Sequence, residues 1–150
     1  MNTATFNCQN FIDYITKQLE DVFKENYWFS FFGNKDIHIT DDIEEELPSF
    51  PSLTIEVVDY FADKSTSTNV LGQEYTNVVL EIDIYTINIQ DNKRHKIALA
   101  ISNQIESHLQ FLGLQHTGST IFSTVPDLFR RKVEFRCKVH NKTNHIYYES

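Results

Sequence analysis

The sequence predicts an α+β fold: a mixed, mostly antiparallel sheet with two helices packed on one face. Two alternating segments in the second half, with one amphipathic helix between them, carry that prediction. Thr76 to Asn88 sets Val78, Leu80, Ile82 and Ile84 on one side and Glu81 and Asp83 on the other, the period-two pattern of a strand buried on one face. Lys132 to His140 repeats it, with Val133, Phe135, Cys137 and Val139 alternating against Lys132, Glu134, Arg136, Lys138 and His140. Both strands therefore carry a charged outer face.

The remaining elements follow in chain order. Phe11, Ile15, Leu19, Val22 and Phe23 form one stripe, with Asp13, Lys17, Glu20 and Lys24 outside it, which predicts a helix over 10–25 with one face on the sheet. Tyr27 to Phe32 is an aromatic run before Gly33-Asn34 and reads as a short strand entering a turn. Such a cluster either fills a hydrophobic interior or makes a contact surface, and exposure decides between them. A short strand is expected over 36–40. The acidic run Asp41 to Glu46 then leads to Leu47-Pro48-Ser49-Phe50-Pro51, where two prolines exclude both helix and central strand.

Ser52 to Tyr60 is predicted as a strand with Leu53, Ile55 and Val57 inward, forming an antiparallel hairpin with 76–88 across a mobile Ser/Thr/Asn-rich connection, 63–75. A second helix over 92–112 has Asp91 or Asn92 as its cap, Ile97, Ile101, Ile105, Leu109 and Leu112 as its stripe, and Gly113 as its stop. Further strands are expected over 131–141 and 145–149.

Composition bounds the answer. A chain of 150 residues and 17.6 kDa forms a single domain, 1–150, large enough to bury roughly two-thirds of the surface its unfolded form exposes. Cys8 and Cys137 lack metal-ligand spacing and read as reduced thiols. No apolar run approaches the roughly 20 residues of a membrane span, and the N-terminus lacks the basic start and apolar core of a signal peptide. No membrane contact is expected.

The net charge of −8 argues against a nucleic-acid surface over the whole molecule. Its distribution is uneven: residues 1–75 hold 4 basic and 14 acidic side chains, and residues 76–150 hold 9 basic and 7 acidic. The imbalance implies either pairing between the halves of one fold or an acidic face meeting a basic face on a neighbouring copy. Two basic clusters sharpen the question. Lys93, Arg94, His95 and Lys96 crowd the first turn of the second helix, where the dipole disfavours cations by about 0.3–1 kcal/mol each. Arg130-Arg131-Lys132 begins the last long strand. Each is either a solvated cluster or a site for a partner's carboxylates or phosphates.

Catalytic motifs are sparse. The sequence contains no GxSxG, Walker loop, HExxH or CxxC, and its six histidines are scattered. Asp127 followed by Glu134-Phe135-Arg136 imitates a metal-nuclease pattern, but Arg136 stands where that chemistry places a lysine and cannot deprotonate. Asp41, Asp42, Glu44, Glu45 and Glu46 lack the glycine and ligand alternation of a calcium loop. No catalytic residue, cofactor or metal site is expected, and the chain reads as a non-enzyme.

The N-terminal helix, Glu46-Leu-Pro-Ser-Phe-Pro-Ser-Leu-Thr-Ile-Glu56, the strand Val78–Tyr85, the helix over 92–112, and Phe129-Arg130-Arg131-Lys132-Val133-Glu134-Phe135-Arg136 followed by His145-Ile146-Tyr147-Tyr148 together resemble the tail-terminator family of long-tailed phages. The similarity spans about residues 5 to 149 and extends to tail-completion proteins of phage-like particles. It implies an α/β sandwich that assembles in the host cytoplasm into a homo-oligomeric ring, hexameric in that family. This ring caps the head-proximal end of the tail tube in the virion, ends tube growth and provides the joint to the head-completion or neck protein. DNA passes through the lumen without specific binding. The residues expected at subunit or partner contacts are Arg130, Arg131, Lys132, Arg136, Glu81, Asp83, Phe50, Lys93 and Arg94. The alternatives are another neck or head–tail joining protein, and a host cytosolic binding domain or nuclease.

Overall fold

The computed structural model describes residues 6–32, 35–41, 51–62, 75–87, 94–125 and 128–147. Three helices, α1 (Cys8–Phe23), α2 (Asn26–Phe31) and α3 (Arg94–Phe111), accompany five strands: β1 (His38–Thr40), β2 (Ser52–Ala62), β3 (Tyr75–Ile87), β4 (Gln115–Val125) and β5 (Leu128–His140). One mixed sheet of order β1-β2-β3-β5-β4 holds all five. β1 runs parallel to β2, and every other pairing is antiparallel.

Alternation in β3 and β5 decides which face is buried. In register, Val78 faces Cys137, Leu80 faces Phe135 and Ile82 faces Val133. β2 adds Leu53 opposite Ile84 and Ile55 opposite Ile82. Apart from the half-buried Cys137, these residues are sealed from solvent and join Phe11, Ile15, Leu19 and Phe23 of α1 and Ile101, Ile105 and Leu109 of α3 in one core. α1 lies against β1 and β2, and α3 against β3, β4 and β5. The helices also meet directly, since His108 Nε2 and Gln18 Oε1 are 3.0 Å apart.

Local chemistry sets the ends. Asn7 caps α1 by accepting a hydrogen bond from the Asn10 N–H at 2.9 Å, placing the helix over 8–23 rather than 10–25. α3 stops where the Leu114 N–H donates to Leu109 O at 2.9 Å across Gly113, whose φ of 105° lies in the left-handed region that glycine tolerates.

Three elements depart from the sequence reading. The aromatic run is helical, not a strand. Trp28 and Phe32, four residues apart, fall on one helical face and pack around Phe23, with Trp28 edge-on to it at 5.0 Å, while Tyr27, Phe29 and Phe31 are exposed. The run therefore supplies both core and surface. Gln115–Val125 forms a strand that alternation does not reveal, because an edge strand of Thr, Ser and Gly buries little. Of the strand expected over 145–149, the described residues 145–147 form only a bridge of Ile146 to Val139, beside which Tyr147 N donates to Lys138 O at 2.6 Å. The mobile connection expected at 63–75 lies, apart from Tyr75, outside the described residues, as does the run 42–50.

The single core makes a direct prediction. Leu80→Ala should lower unfolding stability by about 2–5 kcal/mol in a denaturant titration. Ile101→Asp should abolish soluble expression, because it buries a charge with no partner between α3 and the sheet.

Candidate functional site

The sheet face opposite the core carries the charges. Alternation places Glu81 and Asp83 of β3 beside Arg130, Lys132, Glu134 and Arg136 of β5, with Tyr85 opposite Arg130 and Asp83 opposite Lys132. Each β5 cation near the centre pairs diagonally. Arg130 grips Asp83 with two parallel hydrogen bonds, Nε to Oδ1 at 3.0 Å and Nη2 to Oδ2 at 3.1 Å. Its guanidinium also lies 5.6 Å from the centre of the Tyr85 ring. Lys132 Nζ lies 3.1 Å from Glu81 Oε2. One step further, Arg136 Nε donates to Glu134 Oε1 at 3.4 Å, and that same oxygen accepts from Thr117 Oγ1 at 2.7 Å.

Burial decides which of these pairs matters energetically. The Asp83 side chain is only 11% exposed and that of Glu81 19%, so both are shielded from the solvent that makes open surface pairs nearly neutral. The planar two-bond geometry between Arg130 and Asp83 suits guanidinium and carboxylate in a way lysine cannot match. The hydrogen bond to Asp83 raises the Arg130 pKa above its ordinary value. Burial, followed by the Asp83 charge, raises that of Tyr85. Lys17 with Asp21, by contrast, sits in open solvent at 3.8 Å and contributes at most about 1 kcal/mol.

Arg131 does not belong to this face. Alternation turns it toward the helices, where Nε donates to Ser102 Oγ at 3.1 Å and Nη2 to Ser119 Oγ at 3.3 Å. The run Arg130-Arg131-Lys132, contiguous in sequence, is thus divided between the two sides of the sheet. Arg130 and Lys132 are matched within β3 and β5, so this internal pairing lies inside the second half of the chain rather than between its halves. Arg94 opens α3, with its side chain outside the described residues; Phe50 and Lys93 lie outside them altogether.

A second polar cluster escaped sequence reading because it depends on β4. His116 Nε2 lies 3.1 Å from Glu106 Oε1 and 3.1 Å from Ser119 Oγ, with the imidazole packed on Phe135. A nucleophile–base–acid relay requires the two ring nitrogens to serve different partners. Here one nitrogen faces both, so the contacts tie α3 to β4 and do not form such a relay. Among the described residues no three His, Cys, Asp or Glu side chains gather as a metal site. No helix there is long and apolar enough to cross a membrane. Comparison with protein-family models and with curated proteins gave no match.

Two measurements follow, one on the charged face and one on the core side of the same sheet. Asp83→Asn should cost about 1.5–3 kcal/mol, the range for hydrogen bonds to charged groups, whereas Asp21→Asn should cost under about 0.5 kcal/mol. Burial pushes the Cys137 thiol from 9.0 up to about 12. The folded protein therefore keeps that proton while the unfolded chain loses it. The stability contribution is complete below pH 9 and falls as pH rises from 9 toward about 12. Cys137→Ser should flatten that loss in unfolding titrations run between pH 8 and 11.

Proposed function

We propose that this chain is a structural virion subunit of the tail-terminator or tail-completion type. It forms a ring on the last turn of the tail tube, stops tube growth and presents a surface to the neck or head-completion protein. The observation that carries the reading is the resemblance across residues 5 to 149, from the N-terminal helix through the proline-led strand to the Phe129–Arg136 segment. The order α1, β2, β3, α3, β5 found in the fold is compatible with it.

Two physical features support the reading. A ring is built from heterologous contacts, in which two different patches of one subunit meet, and an electrically lopsided chain provides unlike patches. The charged ladder matches Arg130 and Lys132 with carboxylates, so these cations are engaged within the fold rather than gathered to grip DNA phosphates. No cofactor or catalytic group is needed for this role. A neck or head–tail joining protein is the second reading.

Electron microscopy distinguishes these outcomes. The purified protein, alone and mixed with tail tubes, should give rings of uniform diameter and a cap at one tube end. Addition during tube polymerisation should arrest elongation. Tubes that grow at the same rate and remain uncapped at saturating protein would overturn the terminator role, and binding to isolated heads instead would establish the joining protein.

A further inference from the structure

The two edges of the sheet match each other in register, face, direction and charge. One row of paired residues crosses the whole sheet: Ile39, Leu53, Ile84, Arg131 and Ile121. The next row is Thr40, Thr54, Asp83, Lys132 and Thr120. The first row ends on an isoleucine at each edge and the second on a threonine. Ile121 is 58% exposed and so stands open at the edge to an apolar neighbour. Because β1 is parallel to β2 and each later pairing is antiparallel, β4 runs opposite to β1. A second copy placed alongside would bring its β1 against β4 in antiparallel orientation.

β4 is poorly protected as an edge. Its sequence, Gln-His-Thr-Gly-Ser-Thr-Ile-Phe-Ser-Thr-Val, contains no charge and no proline over 11 residues, the two devices that most often block edge-to-edge pairing. Its irregularities lie between His116 and Gly118 and between Phe122 and Val125, which leaves Ser119 to Phe122 regular and level with β1.

Charge selects which edge β4 meets. Residues 115–125 and 128–140, taken with Asp83 and Glu81 that neutralise Arg130 and Lys132, carry five basic and three acidic side chains, a balance of +2, whereas residues 6–32 and 35–41 carry three basic and six acidic, a balance of −3. Pairing β4 with β4 would set two basic margins together, and pairing β4 with β1 sets basic against acidic. The acidic margin also has a defined point. Gln9 Nε2 donates to Asp13 Oδ1 at 2.8 Å and to Asp41 Oδ2 at 2.9 Å, holding two exposed carboxylates at the end of β1. One residue beyond the Thr row, Asp41 of a neighbour falls level with Ser119, the residue that Arg131 reaches on the same face.

We propose that copies of this chain join head to tail through their sheet edges, β4 of one copy pairing with β1 of the next, so that Ile121 meets Ile39 and Thr120 meets Thr40. The inference rests on the ring reading above and names its subunit contact. Each copy has one donor edge and one acceptor edge, so the contact is heterologous and propagates until it closes.

Cysteine cross-linking tests it on the full chain with Cys8→Ser as background. Two variants are made, Thr40→Cys with Thr120→Cys, and Ile39→Cys with Ile121→Cys. Antiparallel rows alternate between Cα separations of about 5.5 and 4.5 Å, both within disulfide reach. Mild oxidation of each double variant should give a ladder of covalent species beyond the dimer on a non-reducing gel, and each single variant only monomer. Ile121→Lys should weaken self-association at least tenfold by light scattering, with its thermal midpoint unchanged. Rising salt should weaken the wild type. A wild type that forms discrete rings while neither double variant cross-links would overturn the edge assignment and leave the ring reading standing. Quantitative dimer from Thr120→Cys alone would overturn it in favour of twofold pairing of β4. A wild type that stays monomeric at all concentrations yet caps tubes would overturn self-pairing without touching the capping role.

Discussion

The pairing of β3 with β5 is the constraint on which the rest of the structure depends. Two strands of 13 residues align along their full length, and their alternation does two jobs at once. One face seals Leu80, Ile82, Val133 and Phe135 beneath the helices; the other lines up Asp83, Glu81, Arg130 and Lys132 for diagonal ion pairs. A slip of one residue would bring four charges into the core and turn four large apolar side chains into water. Hydrophobic burial and the bonds between Arg130 and Asp83 therefore specify the same register from opposite sides. β2 and β4 then add to the two outer edges of this pair.

Sequence legibility followed the strength of the periodic signal. α1, α3, β2, β3 and β5 were readable because each buries a complete stripe or face, so its apolar spacing is written in the chain. The α+β class and the antiparallel pairing of β2 with β3 followed from them. α2 was misread because six aromatic or polar residues in a row suit a strand by propensity; only the spacing of Trp28 and Phe32 around Phe23 selects a helix, and that is a tertiary fact. β4 was unreadable for the opposite reason. It borrows its position from β5 and needs only backbone partners, so Thr, Ser and Gly serve as well as any apolar residue.

The site was partly legible in the same sense. The charged face of β3 and β5 could be read residue by residue, but its partners could not. A run of three basic residues suggests one patch, yet period-two geometry must place its middle member on the other side. Arg131 is accordingly a half-buried strut on the helix side, reaching Ser102 and Ser119, while Arg130 and Lys132 neutralise carboxylates beside them. The cluster of His116, Glu106 and Ser119 could not be foreseen without β4, since its members lie on α3 and β4 with Arg131 reaching in from β5.

Once these internal pairs are accounted for, the lopsided charge of the chain takes on a different meaning. The ladder cancels the charges at the middle of the outer face, so the asymmetry survives at the sheet margins, acidic beside β1 and α1 and basic beside β5. Charges so placed contribute little to the stability of one copy, because exposed pairs are screened and flexible. In the proposed edge contact they would act on orientation. A subunit approaching another would meet attraction in one edge-to-edge arrangement and repulsion in the reverse, before any backbone hydrogen bond had formed. On that proposal the sheet separates two tasks that a symmetric charge distribution would mix: paired charges near the centre fix the register within the fold, and unbalanced charges at the edges would bias which surface a neighbour meets.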